Sequence, residues 1–134
     1  MPAARIYRLK ITLLHVDPPV WRTVEVPGDM TLQWLHFVIQ LAVGWEDAHL
    51  HMFTTRLGEF GDPGIDLDVG DERQVTLAEV APRARSRLGY SYDLGDDWVH
   101  DIRVEQTFPA EPGIAYPRVA AGERACPPED CGGP

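Results

Sequence analysis

The sequence predicts an α+β fold, a mainly antiparallel sheet of about five strands with one long helix packed on it. Three observations carry that expectation. Residues 5–16 alternate, with Tyr7, Leu9, Ile11 and Leu13 on one face and Arg8, Lys10 and Thr12 on the other. A period of two marks a half-buried strand. Residues 88–105 repeat the pattern on both sides of Gly95-Asp96-Asp97, which reads as a hairpin. Between them, TLQWLHFVIQLAV at 31–43 is apolar at helical spacing.

The first strand stops at Asp17-Pro18-Pro19, because proline cannot donate to a ladder. Val20 to Val26 is a second strand, and the short connection makes the two a hairpin. Thr31 suits the helix N-cap, since its hydroxyl accepts from a free N–H of the first turn. Leu32, Leu35, Ile39 and Val43 line one face of the helix, and Trp34, Val38 and Leu41 extend the apolar surface sideways. Gln33 and Gln40, with His36 at the edge, form the polar stripe. So apolar a helix is expected to be covered on most sides, by the sheet and by a second layer or partner. Gly44 suits the left-handed position that ends it.

Trp45-Glu46-Asp47 form the next turn, and His49, His51 and Phe53 share one face of the strand that follows. Residues 57–72 are rich in Gly and Asp and read as loop. Asp66, Asp68 and Asp71 lack the closing bidentate Glu of a calcium loop. Val75 to Val80 is one short helical turn ended by Pro82. From Phe108 the chain is punctuated by Pro and Gly, with a short strand near Arg118–Ala120, and it closes with ACPPEDCGGP. Leu35, Ile39, Tyr90, Trp98 and Ile102 are the residues expected to be most deeply buried.

A chain of 134 residues makes one domain, 1–134. Its net charge of −9 disfavours nucleic acid, which requires clustered Lys and Arg to displace counterions. Arg83, Arg85 and Arg87 are the local exception and read as a solvated loop. Arg8 and Lys10 interrupt any signal-like apolar run, and no stretch reaches the length of a membrane span. A cytoplasmic location follows, with Cys126 and Cys131 reduced.

His49, His51 and His100 fall on strand faces otherwise given to core residues. His49 and His51 project on the same side, roughly 7 Å apart along the strand, and Cys126 and Cys131 are separated by four residues. Imidazole and thiolate are zinc ligands, so these five residues are the metal candidates. The expectation is a closed zinc site of both cysteines and two of the three histidines. The plainer reading makes the histidines ordinary sheet residues and leaves the cysteines on a loose tail. Glu46, Asp47, Asp93, Asp96 and Asp97 stand near the histidines, where carboxylates orient a ligand or act as a base. They are also ordinary turn residues. No phosphate loop, G-x-S-x-G elbow or H-E-x-x-H is present.

Five ordered blocks occur together: Pro18-Pro19-Val20-Trp21-Arg22; Leu35-His36 through Gly44-Trp45; His49-Leu50-His51-x-Phe53; Tyr92-Asp93-Leu94-Gly95-Asp96-Asp97-Trp98-x-His100; and Cys126-Pro127-Pro128-Glu129-Asp130-Cys131-Gly132-Gly133. In these the chain resembles the plasmid pRiA4b ORF-3-like family over nearly its whole length. The resemblance implies a compact α+β domain of plasmids, mobile elements and chromosomes, and no particular reaction. Some members carry a label linking them to transposon passenger resolvases, but this acidic chain shows no recombinase or helix-turn-helix pattern. Leu94 stands where the family more often has Phe. Relatives usually continue past the position of Pro134 into a further helical segment, which this chain is expected to lack.

The function expected from these readings is that of a cytoplasmic accessory or binding module, stabilised by a structural zinc and acting on a protein partner through the apolar helix surface. The alternative is a metal-dependent hydrolase with an open histidine site.

Overall fold

The strand on which the sheet is assembled is β1 (Arg5–Leu13). Its alternation places Tyr7, Leu9, Ile11 and Leu13 in the core and leaves Arg8, Lys10 and Thr12 half-buried on the other face. In the computed structural model, which describes residues 5–45, 47, 50–62, 69–93 and 97–123, β1 is paired antiparallel on both sides. One neighbour is β2 (Val20–Pro27) and the other is β7 (Trp98–Pro109). The remaining strands are β3 (His51–Thr55), β4 (Gly58–Gly61), β5 (Gly70–Asp71), β6 (Arg87–Tyr92) and β8 (Arg118–Glu123). They form one eight-stranded sheet in the order β5-β4-β3-β6-β7-β1-β2-β8. Every pairing is antiparallel except β4 with β5.

This architecture overturns the expected five-stranded sheet with one long helix. Half of the described residues lie in strands and 15% in helices. The helices are short: α1 (Leu32–Val43) has 12 residues and α2 (Leu77–Val80) has 4. The additional strands come from segments whose composition reads as loop. Within 57–72, Gly58, Gly61 and Gly70 belong to β4 and β5. At Gly70 the backbone passes so close to the Phe60 ring that a Cβ there would stand 2.6 Å from Cδ1. Glycine is chosen here for close approach, which composition alone cannot distinguish from loop freedom. The short strand expected near Arg118–Ala120 is β8, which extends to Glu123 and pairs antiparallel to β2.

The ends of α1 are as the local chemistry dictates. The Thr31 hydroxyl accepts from the Trp34 N–H, and Gly44 takes the left-handed conformation at φ 84°. Arg22 of β2 donates from Nε to the Ala42 carbonyl at 3.0 Å, capping a free acceptor of the last turn and tying the helix to the sheet. At the other end Leu32 N–H donates to Val75 and Leu77 N–H to Met30, so α1 and α2 start from one shared junction. The core gathers Leu32, Leu35, Ile39 and Val43 of α1 with Leu9, Ile11, Phe53, Tyr90, Trp98 and Ile102 of the sheet. Leu35, Ile39, Tyr90, Trp98 and Ile102 are all fully buried. No helix among the described residues is long and apolar enough to cross a membrane.

Candidate functional site

The apolar face of Leu32, Leu35, Ile39 and Val43 turns inward as its spacing predicts, but the residues flanking it are not distributed by polarity. The polar residues His36 and Gln40 of α1 face the sheet at 1% and 4% exposure. Trp34, Phe37 and Leu41 face outward at 60%, 37% and 83%. A helix ordinarily hides its apolar stripe. Here Leu32, Leu35, Ile39 and Val43 already fill the inner face, and the sheet below offers polar partners to the two residues beside them.

Those partners form a closed ring of hydrogen bonds. Gln40 donates from Nε2 to the Tyr90 hydroxyl at 2.9 Å, and that hydroxyl stands 2.6 Å from His36 Nδ1. His36 Nε2 is 2.7 Å from Asp47 Oδ1, and the Asp47 backbone N–H returns to Gln40 Oε1 at 2.8 Å. Donor and acceptor roles close around the ring only one way for a neutral imidazole. Tyr90 donates to Nδ1, and the Nε2–H donates to the carboxylate. Burial, followed by the neighbouring His51, pushes the His36 pKa down, and the hydrogen bond to Asp47 opposes the shift. The short His36–Asp47 contact is therefore a hydrogen bond to a carboxylate rather than an ion pair at neutral pH. Burial likewise raises the Tyr90 hydroxyl well above its ordinary value, so it stays a phenol. Asp47 sits at φ 55°, in the left-handed region that a short polar side chain tolerates.

A second imidazole lies against the first. His51, at the start of β3, stacks on His36 with ring centroids 3.5 Å apart and planes within 8°. Its Nε2 is 2.7 Å from Oε1 of Glu72, a carboxylate buried to 2% exposure. Glu72 follows β5, and its backbone N–H is bonded to the Gly61 carbonyl of β4. The strands absent from the sequence reading are thus the ones that bring Glu72 to His51. One ligand atom each of His36, Asp47 and His51 lies within 4.8 Å of the others, a spacing at which a cation can be held.

Of the residues singled out in the sequence, His51 belongs to this cluster. His100 does not. Strand β6 lies between β3 and β7, and His100 pairs across to Tyr90. Its Nδ1 donates to the Tyr90 carbonyl at 3.2 Å, and its buried Nε2 has no hydrogen-bond partner among the described residues. Its surroundings are Trp45, edge-on at 5.4 Å, and a cleft with Ile11, Leu13, Val20 and Val43 that is too narrow to admit a water. Burial lowers its pKa to about 4. These are the properties of a core histidine. His49, Cys126 and Cys131 lie outside the described residues, as do Glu46 and Asp96.

His36, Gln40, Glu72 and Tyr90 are not among the candidates the sequence offers, and Asp47 stands there as a turn carboxylate able to orient a ligand or act as a base. One signal was present. His36 and Gln40 are four apart in a helix otherwise apolar nearly all round. Residues at that spacing share a face, and an isolated polar pair on so apolar a helix can mark a buried network.

Residues 5–134 match the family model described as plasmid pRiA4b ORF-3-like protein. The chain is 43% identical to the uncharacterized protein y4hQ of Sinorhizobium fredii over 134 residues, which span 98% of this chain and 69% of that one. It is similar in structure to MM3350 of Methanosarcina mazei Go1, a crystal structure described as a protein of unknown function. That match has a TM-score of 0.87 at 33% identity, over 98% of this chain and 77% of the other.

Proposed function

Because the chain belongs to the plasmid pRiA4b ORF-3-like family, whose description names no reaction, we propose its function from its surface: it is a cytoplasmic accessory module that binds a protein partner through the outer face of α1. The observation that carries this reading is the outward-turned apolar row of Trp34, Phe37 and Leu41. Trp34 and Phe37 meet edge-to-face with ring centroids 5.7 Å apart. Beside Leu41, the residues Val38, Pro117, Arg118 and Val119 line an open cleft of about 120 Å³. An apolar cavity of about 150 Å³ holds a benzene ring, so this cleft suits one apolar side chain. Contiguous apolar surface of this kind marks interaction sites, and aromatic residues supply most of the energy at such sites. The net charge of −9 favours a partner whose apolar anchor is flanked by basic residues.

A photo-crosslinking side chain placed at Leu41, in the host cell, tests the reading against the same group at Arg103, an exposed position on β7. One discrete heterologous adduct is expected at position 41 and none at 103, with the adduct lost in Phe37→Asp. Equal labelling at both positions overturns the proposal. So does an adduct of twice the chain mass, which assigns the face to self-association. Hydrolysis by a histidine-held metal is the second reading, favoured by the paired imidazoles and carboxylates at His36, Asp47, His51 and Glu72. It requires an open, water-bearing coordination position and is distinguished by turnover that disappears on chelation.

A further inference from the structure

We propose that His36, Asp47 and His51 form a binding site for a divalent first-row transition metal of the zinc type, supported from behind by Tyr90 and Glu72. The inference concerns the inner side of α1 and stands independently of the partner-binding face.

The donor set is the first argument. Two imidazoles and one carboxylate, with ligand atoms within 4.8 Å of one another, are the three-ligand combination that holds zinc or iron(II) while leaving coordination positions open. The second argument is the partner of each ring's other nitrogen. His36 Nδ1 is engaged by the Tyr90 hydroxyl at 2.6 Å, which leaves Nε2 directed at Asp47. His51 Nε2 is engaged by Glu72 at 2.7 Å, which leaves Nδ1 as its ligating atom. An imidazole held through one nitrogen by a carboxylate or hydroxyl, so that the other is aimed at the ion, is the usual supporting arrangement of metal sites.

The third argument is energetic. Burying imidazoles and a carboxylate in an otherwise apolar core is unfavourable unless each polar atom is matched. Here Glu72 and His51 are buried at 2% and 8% exposure beside His36 at 1%. Asp47 and Glu72 bring two carboxylates to the paired rings, the charge complement of one divalent cation.

The geometry also dictates what binding must change. Parallel rings 3.5 Å apart cannot both hold an ion in their planes, so coordination tilts one of them. His36 is pinned through both nitrogens and by its helix. His51 therefore turns, and Asp47, whose side chain is 41% exposed, closes on the ion. For His36 Nε2 to ligate, its proton moves to Nδ1. There the N–H donates to Tyr90 Oη, and the phenol O–H turns away from Nδ1. The histidine nitrogens consequently report binding directly.

The test uses the full chain stripped with chelator and titrated with Zn²⁺ by calorimetry and with Co²⁺ by absorption. One ion per chain is expected, with a cobalt spectrum free of thiolate charge-transfer bands and with ¹⁵N shifts at His36 and His51 but not at His100. Asp47→Asn retains an oxygen to accept from His36 Nε2–H, so the metal-free fold is kept while the anionic ligand is lost. Its affinity should fall at least about tenfold. The Cys126→Ser/Cys131→Ser double variant should bind within about twofold of the parent, since the proposed ligands are His36, Asp47 and His51. The inference is overturned by absence of binding, by unchanged affinity in a folded Asp47→Asn chain, or by loss of the ion in the cysteine double variant.

Discussion

His36 and His100 are both buried imidazoles, and they differ in how their nitrogens are satisfied. His36 has partners on both, whereas His100 leaves Nε2 without one among the described residues. Burial holds the pKa of His100 at about 4, against an ordinary 6.5. With the folded value below the unfolded one, the unfolded chain takes up its proton first as the pH falls. Stability is therefore complete above about pH 6.5 and is lost on the way down to about pH 4, by roughly 2 kcal/mol between about pH 7 and about pH 4.5 for this group alone. His36, also shifted downward, adds in the same direction. Urea unfolding at the two pH values should show the loss, and His100→Leu should reduce it. Identical slopes for parent and variant would remove His100 from the account. Tyr90→Phe deletes the hydroxyl that joins Gln40 to His36 and leaves two buried groups unmatched. It should cost about 2–4 kcal/mol, read as a lower denaturation midpoint with an unchanged slope.

At the scale of the element, α1 separates what a helix is from which way it faces. Its first and last residues were legible, because Thr31 and Gly44 act on backbone groups within one turn of themselves. Which residues beside its inner face are buried was not, since that depends on Tyr90 and His51, which are distant in sequence. The two readings predict opposite signs for a pair of adjacent substitutions. Gln40→Leu, favourable if position 40 were solvated, should instead destabilise by about 1–3 kcal/mol, because Tyr90 loses a donor and the Asp47 N–H loses an acceptor. Leu41→Gln should change stability by no more than about 0.5 kcal/mol. Equilibrium denaturation of the two variants decides the orientation, and a reversed order refutes the phase described here.

For the whole molecule, the sheet is closed at one edge by β8, which joins through β2 alone among the described residues. Glu25, at 2% exposure, is the side chain that secures it. Its carboxylate receives Arg8 of β1 at 3.1 Å and Arg118 of β8 at 2.6 Å, so one buried anion spans three strands. Both arginines are partly solvated, and the desolvated carboxylate depends on them. Glu25→Gln should raise amide exchange in β8 by about tenfold, a local opening worth about 1.4 kcal/mol. Amides of β1 and β6 should keep their protection. Equal acceleration in all strands would show instead that the change acts on global stability.

By itself the sequence determined the pieces whose cause lies within a few residues. These are the period-two runs that became β1, β6 and β7, the caps that bound α1, and the buried set of Leu35, Ile39, Tyr90, Trp98 and Ile102. Only the tertiary structure decided the number and order of strands. Backbone pairing recruits glycine-rich segments such as 58–61 wherever a neighbouring strand supplies partners, and composition does not record that neighbour. It likewise decided the site. His36, Asp47, His51, Glu72 and Tyr90 come from α1, the turn after it, β3, the end of β5 and β6, and none has a local reason to meet the others. The physical reason is that a period in the chain says that two faces exist. Which face turns inward depends on whether the surface beneath can satisfy its polar atoms, and here that surface is the Tyr90 hydroxyl and the His51 ring.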